Sequence, residues 1–133
     1  MEFIDISVKD NPVAFMGKQA DQQQLEQTIF SKASAISPSY RGGDWRYLGG
    51  EQNTVFMAPN TSNKFEVISL SGAIIHLSSD AFGMLVTLLG IKALQVDQKY
   101  PFLIYRFNKL RSLVEKHAEA EEVFSCLADG CYE

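Results

Sequence analysis

"SPSYRGGDWRYLGG", residues 37–50, gathers four glycines, one proline, two tyrosines and the chain's only tryptophan into one short segment. It can be read as a phosphate-cradling loop, as a binding surface, or as a turn leading into a strand. A dinucleotide fingerprint needs G-x-G-x-x-G between a strand and a helix, and a Walker loop needs a Lys-Ser/Thr pair after its glycines. Here Gly42-Gly43 precede a strand-like run and no such pair follows, so both loops are excluded. Gly49-Gly50 likewise lead toward another strand. The stretch therefore predicts a helix-to-strand connection. Gly42 and Gly43 let the chain turn sharply, and Trp45 anchors the first strand against a helix.

Upstream, Leu25, Ile29, Ala33 and Ile36 recur at helical spacing, while Gln22, Gln23, Glu26 and Gln27 occupy the other face. This predicts an amphipathic helix over 20–36, with Asp21 as its cap and Ser37-Pro38 as its stop. Residues 3–8 alternate weakly through Ile4, Ile6 and Val8, as a short edge strand or an ordered arm, and "DNP" at 10–12 ends them. Downstream, strands are expected at Trp45–Leu48, Thr54–Ala58, Phe65–Leu70 and Ala73–Leu77. Only Ser71-Gly72 separates the last two, which predicts a tight hairpin. In that register Leu70 faces Ala73 and Ile68 faces Ile75 on the core side, with Val67, Ile74 and His76 on the other.

Residues 78–95 open with Ser78 or Ser79 as an N-cap and Asp80 in the first turn. Phe82, Leu85, Val86, Leu88, Leu89, Ile91 and Leu94 go nearly all round this helix, so it is expected to be central. Gly83 and Gly90 permit its close packing against the sheet. A further helix over 100–120 has Pro101 in its first turn and an inner stripe of Leu103, Phe107, Leu110 and Val114. A last helix spans 121–128 and ends at Gly130. One helix, then four strands, then two or three helices predict an α+β fold: a small antiparallel sheet of about four strands packed with three to four helices, in one domain over 1–133.

Composition narrows the function. The chain has 133 residues, with 12 basic against 16 acidic residues and a formal charge of −4. That is too balanced for a polyanion mimic, since duplex DNA carries one charge per roughly 1.7 Å of axis. Nor is the surface globally basic, so indiscriminate nucleic-acid binding is not expected. Cys126 and Cys131 lack the second ligand pair a zinc site needs. They are expected as reduced thiols, with a disulfide across the short loop as the alternative. The N-terminal segment is unlike a signal peptide, and the apolar run Ala81–Leu94 contains Lys92 and is short for a membrane span. A cytoplasmic protein is expected.

Catalytic signals are weak. His76 and His117 have no His or Cys at helical spacing. The first is expected to pack on a strand, the second to sit at a helix end. No G-x-S-x-G elbow exists, and Ser78, Ser79 and Asp80 suit capping. Glu121-Glu122 are expected on a solvated face. Neither cofactor, metal nor catalytic residue is assigned. Residues 99–116 set Lys99, Arg106, Lys109, Arg111 and Lys116 against Glu115 alone. Arg106, Lys109 and Lys116 are therefore candidates for a partner or nucleic-acid face, against the plainer reading of an ordinary solvated helix side. Tyr40, Trp45 and Tyr47 offer stacking surfaces for bases, or pack the sheet against helices.

Tyr40, Gly42, Gly43, Trp45 and Tyr47, followed by Met57-Ala58-Pro59, resemble the Tyr-x-Gly-Gly-x-Trp pattern of the ArdB/KlcA antirestriction family of mobile elements. Ser78, Asp80, Ala81 and Gly83, opening an apolar helix, match its Ser-x-Asp-Ala-x-Gly. The chain departs from the pattern at Gln52-Asn53-Thr54 and Leu48. The resemblance implies a non-enzymatic protein of a mobile element that relieves type I restriction of incoming DNA by binding a host component. An inhibitor of another defence system, or a nucleic-acid-binding accessory protein using the basic 99–116 helix, are the alternatives. No membrane partner is implied.

Overall fold

The computed structural model describes residues 4–6, 19–40, 42–49, 54–68, 72–95 and 102–128. The order is β1 (Ile4–Ile6), α1 (Gln19–Ile36), β2 (Trp45–Gly49), β3 (Val55–Pro59), β4 (Phe65–Ile68), β5 (Ile74–Leu77), α2 (Ser79–Gln95), α3 (Phe102–Glu115) and α4 (Ala120–Ala128). The fold is α+β, as expected. Its strands divide over two antiparallel sheets, β1-β2-β3 and β4-β5. The expected features at Pro12, Leu70, Lys99, Pro101, Gly130 and Cys131 lie outside the described residues.

α2 is the centre. From Ala81 to Ile91 every residue is buried, and the helix packs on α1, β3, α3, α4 and β5. Its side chains include Phe82, Leu85, Leu88, Leu89 and Ile91, each of which stabilises the fold by about 1.5–3 kcal/mol on burial. α1 lays Leu25, Ile29, Ala33 and Ile36 into the same core. Asp21 is not its cap: the helix begins at Gln19, which puts Asp21 inside the first turn. Along α3, Leu110 and Val114 are buried as expected and Leu113 joins them, while Phe107 is half-buried.

Gly83 and Gly90 serve different neighbours. A Cβ on Gly83 would fall 2.6 Å from Ala58 Cα, so the helix touches the backbone of β3 there. A Cβ on Gly90 would meet Ile29 of α1. The expectation that both pack on the sheet holds for Gly83 alone.

The β4-β5 register also differs from expectation. Val67 pairs with Ile75, and Ile68 with Ile74. Because side chains alternate, this one-residue shift turns over β4 alone: Val67 faces the core and Ile68 the outside, while Ile75 packs on the core and Ile74 and His76 lie on the outer face, as expected. Phe65, Val67 and Leu77 are buried, while Ile68 is 45% and Ile74 60% exposed. The large apolar pair Phe65 and Leu77 decides the register, since Phe65 stacks on Phe82 with centroids 4.5 Å apart. Between the two strands Gly72 takes φ +88°, and the rest of the expected tight turn lies outside the described residues.

Replacing Gly83 with Ala is expected to destabilise the protein by roughly 3 kcal/mol. Gly90→Ala should cost less, because the closest obstacle is a side-chain atom, Ile29 Cγ1 at 2.6 Å, while the Ile29 backbone stands 3.5 Å away. Denaturant unfolding of both variants checks the order, and equal costs would contradict this account of the two contacts.

Candidate functional site

The residues singled out by the sequence form one structural cluster and one separate helix face. In the cluster, Gly42 and Gly43 have φ of +85° and +109°. A Cβ on either would meet nothing within 4 Å. Their requirement is therefore conformational: the left-handed region that reverses the chain from α1 into β2. The turn presents Tyr40 to Trp45. The indole Nε1–H donates to the Tyr40 hydroxyl at 3.0 Å, and the rings meet edge to face at 5.8 Å. Phe30 of α1 closes the other side of Trp45 at 5.2 Å. In the same turn, the Ser39 hydroxyl accepts the Glu66 N–H at 3.0 Å, tying the loop to the second sheet.

β2 sends its side chains to two helices. The Tyr47 hydroxyl donates to the Glu26 carboxylate on α1. Arg46 reaches Asp80 at the start of α2 over 3.5 Å, a half-exposed pair worth at most about 1 kcal/mol. Trp45 stands opposite Pro59 in the β2-β3 register. On the outer edge of β3, Thr87 accepts the Met57 N–H at 3.1 Å and donates to the Met57 carbonyl at 3.3 Å. A single hydroxyl thus satisfies both backbone groups of an edge strand buried under a helix. Thr87 was not singled out by sequence. Its signal is that it stands as the lone polar residue between Ala81 and Ile91.

The N-terminus of α2 is capped from two directions. Ser78 Oγ accepts the Ala81 N–H at 3.2 Å, so Ser78 is the N-cap and Ser79 the first helical residue. The Ser78 N–H and hydroxyl both donate to Glu119, at 2.9 and 2.5 Å. Glu119 is held by its own turn, where its N–H donates to His117 Nδ1 at 3.0 Å. His117 thus organises the α3–α4 turn. Glu119 lies 41 residues from Ser78, and no local pattern could reveal their pairing. His76 lies on the outer face of β5, 3.5 Å from Glu66 across the hairpin. Cys126 is buried in the core.

The second group lies on α3. Arg106 is half-buried, and desolvation lowers its guanidinium pKa, with neighbouring Tyr105 opposing the shift. Lys109 sits over the Tyr105 ring at 5.3 Å. Lys116 is exposed just beyond the helix. Arg106 and Lys109 share a side of α3, which packs on α2 and α4. Among the described residues no group of three or more His, Cys, Asp and Glu is arranged to hold a metal ion, and no helix is long and apolar enough to cross a membrane. What the cluster's polar groups do is structural chemistry: capping, edge satisfaction and joining of layers.

Ser78→Ala and Glu119→Ala are each expected to destabilise the protein by about 1–2 kcal/mol. Because they act on one another, the double variant should lose less than the sum of the two. Strict additivity in denaturant unfolding would refute the pairing.

A family model described as antirestriction protein matches residues 38–128 of the chain. A search of curated proteins gives no significant match. Among solved structures, the fold is similar to a chain from the KlcA and ArdB proteins, with TM-score 0.80 and 20% identity over 95% of this chain and 94% of that one. Those proteins show antirestriction activity against type I DNA restriction systems in vivo but not in vitro. The matched span covers more than half of the sequence and contains the glycine turn, both sheets' principal strands and the capped central helix, and the chain belongs to the antirestriction protein family.

Proposed function

We propose that this chain protects incoming DNA from type I restriction by binding a component of the host, with no catalysis of its own. The carrying observation is the fold shared, over nearly the whole of both chains, with proteins that have this activity in vivo but not in vitro. An activity that depends on the cell is what a protein working through a further host component would show. The state of the polar residues supports a binding role. Ser78, Asp80, Thr87 and Glu119 hold elements together, and the Cys126 thiol is packed in the core. A mobile-element origin and a cytoplasmic site of action belong to the same proposal.

A specific observation also favours a second reading. Residues 102–116 carry Arg106, Lys109, Arg111 and Lys116 against Glu115. Such a face could hold nucleic acid. It is the weaker reading, because Arg106 is partly withdrawn from solvent and Lys109 is engaged with Tyr105.

Expressed in a type I restricting host, the protein is expected to raise plating of unmodified phage toward that of modified phage. Unchanged plating across several type I systems would overturn the proposal. Under the second reading, gel-shift affinity for DNA falls with rising salt and on Arg106→Glu with Lys109→Glu. Absence of binding at low salt removes it.

A further inference from the structure

We draw no further inference here: the strongest candidate, the cleft of about 300 Å³ between α2, α3 and α4 lined among the described residues by Lys92, Phe107, Arg111, Phe124 and Leu127, carries nothing, because nothing in the structure shows what covers it.

Discussion

The close approach of α2 to β3 is the constraint on which the rest of the structure depends. A helix packed on the edge of a sheet normally leaves backbone groups of that edge without partners, which is costly away from water. Here Gly83 removes the side chain that would collide with Ala58, and Thr87 supplies the hydroxyl that bonds both backbone groups of Met57. Only with both in place can α2 lie buried against the edge strand. Its remaining faces are then free to take α1 on one side and the α3–α4 pair on the other.

The glycine turn and the N-cap position this central helix at its two contacts with the sheets. Tyr40 is fixed by Trp45 and lies 6.4 Å from Phe82, which also stacks on Phe65 of the second sheet. The aromatic cluster therefore joins α1, both sheets and α2. At the start of α2, Glu119 binds Ser78 and brings the α3–α4 turn onto the helix N-terminus, where negative charge is favoured by the helix dipole. The residues of the glycine turn and of the N-cap thus concentrate where layers meet.

Exposed apolar groups are distributed differently. Ile104 and Tyr105 project from α3, next to the cleft that Arg111 and Lys92 border, on the side of α2 built by the helical hairpin. Ile68 and Ile74 project from the outer face of the small hairpin. The polar chemistry of the motif is spent inside, while these exposed side chains stand on elements that the motif hardly touches.

Sequence by itself determined the element order, the all-round burial of α2 and the conformational role of Gly42-Gly43, because each is written in local spacing: apolar residues at helical period, a serine before a helix, glycines between a helix and a strand. It also carried the family pattern. Tertiary structure alone decided the β4-β5 register, since both faces of that hairpin are apolar and only the stacking of Phe65 on Phe82 selects which is buried. It alone decided that Ser78 pairs with Glu119, that Gly90 meets α1 while Gly83 meets β3, and that Arg106 is partly desolvated while Arg111 borders a cleft. These outcomes depend on contacts between residues far apart in the chain, and periodicity, which reports only where a side chain points on its own element, holds no information about what it will meet there.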